Sequence, residues 1–355
     1  MGVELTFRAA APADFTAFYE ACFAGDRGDM ALRGIVAHEW RILLENPATL
    51  SFVVEDAGRA PERRLVGCGQ LAFVTDGFVR RARSDTAPRV NVQATHPLPD
   101  GSWPLLTPLE VARINARGGL NGLFTRWTRA TLPPDELRLV GRFMHDAGLS
   151  QTRGYQFKEL LIEAIGEVAR DSGLHAGFLQ RRSLSGPQDD LPATKRPFLM
   201  GLTREEAHQR EGSVMGHYFI HCPPRFGFTA RQQEMLRLSL RHPELSDEAL
   251  AEALRVSVGA AKNWWKLVYE RVSKADPDLL PLVDGGKVRG PEKRRRLLQH
   301  LREHPEELRP YKPRGGKGYP RQPPEVPTWE ALTPEQAVAL EAGRAVRGPY
   351  REWHG

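Results

Sequence analysis

Residues 228–272 constrain this chain more than any other stretch. Thr229 and Gln232 fit a capping box, in which a hydroxyl and an amide satisfy N–H groups that the first helical turn leaves free, so a helix starts at Ala230. Met235, Leu236, Leu238 and Leu240 are its apolar residues, and Pro243 ends it. Ser246 reads as the next N-cap, with Asp247 and Glu248 in the first turn, where the helix dipole favours negative charge. That helix is short and ends near Leu254. Arg255, Val256 and Ser257 form a turn, and Ser257 caps a third helix.

The third helix sorts its residues by angle. With Gly259 at zero and ~100° per residue, Ala261, Trp264, Trp265, Val268 and Val272 fall between roughly 140° and 240°. Gly259, Lys262, Asn263, Lys266 and Glu270 fall between roughly 300° and 40°. One face is a core with two indoles. The other is small at its N-terminal end and then carries two cations and an amide, as a helix entering a DNA major groove requires. Ser257, Gly259, Lys262, Asn263 and Lys266 are therefore candidate DNA contacts.

With its threonine-led first helix, Ala251, the Val256-Ser257 turn and Lys262-Asn263 followed by Val268-Tyr269, the segment resembles the C-terminal helix-turn-helix of LuxR-type regulators. The resemblance implies that Lys262, Asn263 and Lys266 touch DNA, while Ala251, Leu254, Val256, Ala261 and Val268 form the core. The competing reading is a helical hairpin whose polar face is solvated surface.

The charge distribution supports a polyanionic partner. The chain carries a formal net charge of +6. Between Gly285 and Arg321 there are twelve Lys and Arg against four Asp and Glu, a surplus larger than the chain total. Residues 292–304 (EKRRRLLQHLREH) read as a short basic helix begun by Pro291 and stopped by Pro305, with Leu297, Leu298 and Leu301 free to dock on the neighbouring helices. Its Arg294, Arg295 and Arg296 are either phosphate contacts or a solvated face. Residues 311–327 are rich in Pro, Gly and Lys and are expected to be disordered, with a late helix over 334–342.

The first 222 residues read as mixed α/β. Strands are expected at 3–8, 50–55, 65–75, 120–127, 197–202 and 214–222, and helices at 12–23, 38–45, 135–147, 155–171 and 203–210. His217 and His221 on one strand face would lie about 13 Å apart, too far for one ion, so no metal site is expected. Three pieces resemble the GNAT acetyltransferase superfamily: FRAAAPADF at the start, the LSFVVED and RLVGCGQLAFV strand pair, and QTRGYQ before KELLIEAIGEVARDSGL. That resemblance implies a diphosphate cradle at Gln151, Arg153 and Gly154 and acetyl-CoA as cofactor, because backbone N–H groups at a helix N-terminus bind phosphate. The plainer reading of Arg153-Gly154 is a loop leading into a core helix, and the sequence favours it.

The expected organisation is α+β. A mixed α/β sensory or dimerisation domain spans 1–222, a helix-turn-helix domain with a basic extension spans 225–305, and a Pro/Gly-rich tail spans 306–355. The expected function is a cytoplasmic, bacterial-type, sequence-specific DNA-binding transcription regulator with residues 258–271 in the major groove. It would have no catalytic residues, cofactor or metal. The alternative is a GNAT-like acyltransferase fused to a nucleic-acid-binding module. Double-stranded DNA is the expected partner, with RNA polymerase and a second copy of the chain left open. No run of apolar residues is long enough to cross a membrane. Cys22, Cys68 and Cys222 are too few and too scattered for a disulfide framework.

Overall fold

A computed structural model describes residues 3–23, 30–85, 89–117, 119–129, 132–184, 196–210, 212–280 and 290–309. Residues 310–355, which hold the rest of the expected tail and the helix expected at 334–342, lie outside the described residues. The frame is a seven-stranded sheet of β1 (Leu5–Ala9), β2 (Leu50–Asp56), β3 (Leu65–Val74), β4 (Leu120–Arg129), β5 (Phe157–Ile165), β6 (Leu179–Ser183) and β7 (Pro197–Thr203). Its spatial order is β1-β2-β3-β4-β5-β7-β6. Neighbours are antiparallel except β4 and β5, which run parallel.

Alternation along the strands assigns the two faces. Val53 and Cys68 pack with Phe18 of α1 (Asp14–Phe23) and Trp40 of α2 (Met30–Glu45). Phe52 and Val54 point the other way, against Val140 and Met144 of α6 (Pro134–Thr152). An insertion between β3 and β4 supplies α3 (Asp76–Ser84), α4 (Val90–Gln93) and α5 (Pro108–Asn115). Phe78 and Val90 from it extend the first face over Leu123 and Leu161. The body is completed by α7 (Glu167–Ala176) and α8 (Arg204–His208). Thr203 and Glu206 close a reciprocal capping box on α8 as the sequence predicts.

Two elements differ from expectation. Residues 155–171 form β5 followed by α7, not one helix. A strand between two others and covered on both faces is a continuous apolar run, and Leu160, Leu161 and Ala164 satisfy that pattern as well as a helical one. Ile165 and Val168, which a helix would bury, are 55% and 83% exposed. Residues 214–222 hold a short 3-10 helix, Val214–Phe219, not a strand; Ser213 caps it by accepting from the Gly216 N–H.

The C-terminal helices are α9 (Ala230–Arg241), α10 (Asp247–Ala253), α11 (Val258–Ala275) and α12 (Gly290–Glu303), followed by a 3-10 turn, Pro305–Leu308. Thr229, Ser246 and Ser257 each accept a backbone N–H as caps. Arg255 takes a left-handed φ of 53° in the turn between α10 and α11, where the Val256 N–H closes on the Ala251 carbonyl at 2.9 Å. Leu297, Leu298 and Leu301 of α12 pack with Met235, Trp265 and Val268 in one core. Buried Glu307 ties the start of this unit to its end, accepting from the N–H groups of Arg225 (3.1 Å) and Phe226 (2.9 Å).

Candidate active site

The parallel pair β4–β5 comes apart midway along its length. The strands pair from Leu120 and Phe157 to Phe124 and Ile162, and no further. On the other side of β4, Gln70 pairs with Arg126 and Leu71 with Phe124, so Thr125 is an extra, bulged residue. A bulge bends and twists its strand, so β4 follows β3 past Thr125 and leaves β5. The buried Thr125 hydroxyl donates to Gln70 Oε1 at 2.8 Å, fixing the bulge.

On one face α4 bridges the split. Asn91 donates to the Thr125 carbonyl on β4 at 3.1 Å. Glu163 on β5 accepts the Arg89 N–H at 2.7 Å, at the start of the same helix. Arg89 has φ 63°, a conformation costly for a residue other than glycine. Burial pushes the Glu163 carboxyl up, against the pull of the N–H groups of α4.

On the other face lies a cluster of titratable rings. The Tyr218 ring sits edge-on to Phe124 at 5.6 Å and to His145 of α6 at 5.4 Å; His217 approaches His145 at 6.2 Å. Gly148 lets this cluster close, since a Cβ there would collide with the Tyr218 hydroxyl and the Trp127 indole. Tyr218 is buried, His145 half-buried and His217 exposed, so the cluster reaches solvent through the histidines. The Tyr218 hydroxyl and His145 Nε2 are buried with no hydrogen-bond partner among the described residues. Burial pushes the His145 imidazole below its ordinary range, keeping it neutral, and pushes the Tyr218 phenol well above its own. A neutral imidazole beside a protonated phenol is a base next to an acid. Sequence reasoning missed this pair. Its one trace was the GHYFIHC segment, weighed there as a metal strand.

Gln151, Arg153 and Gly154 lie at the C-terminal end of α6, where carbonyls converge in place of N–H groups. Their polar backbone is also committed: Asn115 donates to the Gly154 carbonyl at 3.0 Å and accepts the Gln156 N–H at 2.6 Å, and Arg309 donates to the Arg153 carbonyl. Among the described residues, the junction after β4 opens α6 with Pro133 and Pro134, which have no N–H, followed by Asp135 and Glu136. These residues do not fit the diphosphate of acetyl-CoA.

The residues expected to touch DNA fall into a concavity. Lys262 and Lys266 of α11 and Arg294 and Arg295 of α12 line opposite walls of one cleft. Arg294 lies 4.7 Å over the Trp265 ring and pairs with Asp247; Arg295 and Arg296 pair with Glu292. Ser257 caps α11, while Gly259 and Asn263 are exposed. Lys262 and Lys266 are exposed as well, so this side of α11 faces solvent along the open cleft.

No family model matches the sequence, and no curated protein matches it. Solved structures do. The C-terminal condensation domain of Ebony in complex with beta-alanyl-dopamine is 14% identical, covering 57% of this chain and 100% of that one at TM-score 0.36. FeeM, an N-acyl amino acid synthase from uncultured soil microbes, is 12% identical over 59% and 97% at 0.32. Arabidopsis thaliana NAA60 in complex with acetyl-CoA is 12% identical over 56% and 99% at 0.34. The expectation of a LuxR-type, sequence-specific DNA-binding regulator is corrected here: no family model matches the chain, and the solved structures it is similar to are those just named. Among the described residues, no helix is long and apolar enough to cross a membrane.

Proposed function

We propose that this chain transfers an acyl group to an amine at the β4–β5 split. The observation that carries the reading is the packing of the His145 ring edge-on to Tyr218, with His145 Nε2 and the Tyr218 hydroxyl both buried and without a hydrogen-bond partner among the described residues, beside the point where the bulged β4 leaves β5. His145 takes the proton of the attacking amine as the N–C bond forms. Tyr218 gives its proton to the group that departs as the acyl bond breaks. The imidazolium then returns its proton to the phenolate, so both residues end as they began. The acyl- and acetyltransferase neighbours agree with this chemistry. The donor is an activated acyl group that needs no diphosphate cradle, since Pro133 and Pro134 supply no N–H there.

The test is an acyl-transfer assay on the full chain, following amide formation by mass spectrometry across a panel of amines and thioesters. The expected result is turnover, with acetyl-CoA no better than a short thioester that lacks the nucleotide. His145→Ala and Tyr218→Phe should each lower kcat by about 100-fold. Failure of every donor, or full activity in both variants, would overturn the proposal.

A further inference from the structure

The cleft between α11 and α12 shares no lining residue with the His145–Tyr218 site. Its volume is about 830 Å³, within the range of small-molecule sites. Six cations line it, Lys262, Lys266, Lys293, Arg294, Arg295 and Arg302, against two carboxylates, Asp247 and Glu270, which leaves the wall positive. The carboxylates are partly spent: Glu270 lies 3.8 Å from Lys266 and Asp247 lies 3.5 Å from Arg294. Among the described residues Lys262, Lys293 and Arg302 form no ion pair.

Two further features of the lining point to a ligand. Trp265 is 5% exposed, and its indole N–H is buried with no partner among the described residues, as is Arg294 Nε. The second feature is aromatic. Tyr269, half-buried, stacks on Trp265 with ring centres 5.5 Å apart and 25° between planes. The cleft therefore offers cations and the half-buried ring of Tyr269, backed by Trp265. It asks for a ligand with many acceptor oxygens, negative charge and a planar ring.

We propose that this cleft binds a nucleoside polyphosphate, its phosphates on the lysines and arginines and its base against the Tyr269–Trp265 stack. Guanidinium and ammonium groups facing one another across a gap hold phosphate by charge-assisted hydrogen bonds. Base-on-aromatic stacking adds affinity that does not depend on salt. A duplex is a poor fit, because the polar side of α11 forms one wall of the concavity and α12 the other.

Titration calorimetry on the full chain, with intrinsic tryptophan fluorescence alongside, tests this with ATP, tripolyphosphate, adenosine and a random DNA duplex. ATP should bind and perturb the fluorescence. Tripolyphosphate should bind about tenfold more weakly for want of the ring, and adenosine should not bind measurably. The double variant Lys262→Glu, Lys293→Glu should weaken ATP by at least about tenfold at an unchanged melting temperature, since neither side chain is paired. Absence of ATP binding at millimolar concentration would overturn the proposal. So would tripolyphosphate binding as tightly as ATP, or duplex binding tighter than ATP. Acyl-transfer activity is read separately, so this proposal and that of the active site fail independently.

Discussion

The Arg309 guanidinium lies 4.4 Å over the Tyr155 ring while it donates to the carbonyl of Arg153 at the end of α6. A cation thus caps the negative end of a helix that begins at the β4 junction and carries His145. Arg153 returns the contact by pairing with Glu306 at 2.6 Å. The turn after α12 is thereby fastened to the sheet domain next to β5. Arg309→Ala should remove a buried cation–π contact and leave the Arg153 carbonyl without its donor, destabilising the chain by about 3 kcal/mol. Thermal melting measures that loss, and hydrogen exchange should show it concentrated at the end of α6. An unchanged melting temperature would mean that the two parts are not fastened by this residue.

Gly154 is the second element of the junction. Its φ is +85°, and a Cβ there would lie 2.9 Å from the Glu306 Cα, which is backbone and cannot swing aside. Gly154→Val should therefore cost more than the conformational penalty alone, about 2–3 kcal/mol in all, because the residue must adopt a strained φ and the Pro305–Leu308 turn must also move. Pairing it with Arg309→Ala separates the two effects. If the turn is already released in the Arg309 variant, the double variant should lose less than the sum of the singles.

What the sequence made legible was local, and what it hid was long-range. Caps at Thr203, Thr229, Ser246 and Ser257 announce themselves because the partner N–H is three residues away. The strands of the β2–β3 pair announce themselves through apolar runs broken by a turn. β5 did not, because a strand buried on both faces has no alternation to distinguish it from a buried helix. The sorting of α11 into apolar and polar sides was correct, and Trp265 is indeed core. Its polar side is exposed, at Gly259, Lys262, Asn263 and Lys266, and what the sequence hid is that Lys262 and Lys266 share a cleft with residues of α12. Nothing local says that α12 returns to stand alongside Lys262 and Lys266. The His145–Tyr218 pair is hidden for the same reason: only the closure of α6 and the Val214–Phe219 turn over the bulged β4 brings the two rings together.

Tyr218→Phe discriminates between a structural and a chemical role. The hydroxyl is buried with no partner among the described residues, so deleting it removes a desolvated polar atom and leaves the ring packing against Phe124 and His145 intact. Stability should stay level or rise by up to about 1 kcal/mol. Conserved melting with lost acyl transfer assigns the hydroxyl to chemistry. A destabilised variant would mean that the hydroxyl has a structural partner.

His38 predicts an acid limb in stability. It is half-buried on α2, with Arg41 on its own helix and the ring of His96 6.4 Å away. Burial first, then the charges of Arg41 and His96, lowers its value from 6.5 to about 4. A folded value below the unfolded one means that the unfolded chain binds the proton more readily. The contribution is therefore fully present above pH 6.5 and is lost as pH falls from 6.5 through about 4. Its ceiling is about 3 kcal/mol at 1.36 kcal/mol per unit. Denaturant titrations of the wild type and of His38→Gln across that window check it. The variant should lose less stability over the interval, by about 2–3 kcal/mol, and parallel curves would show that His38 is as free to protonate in the fold as outside it.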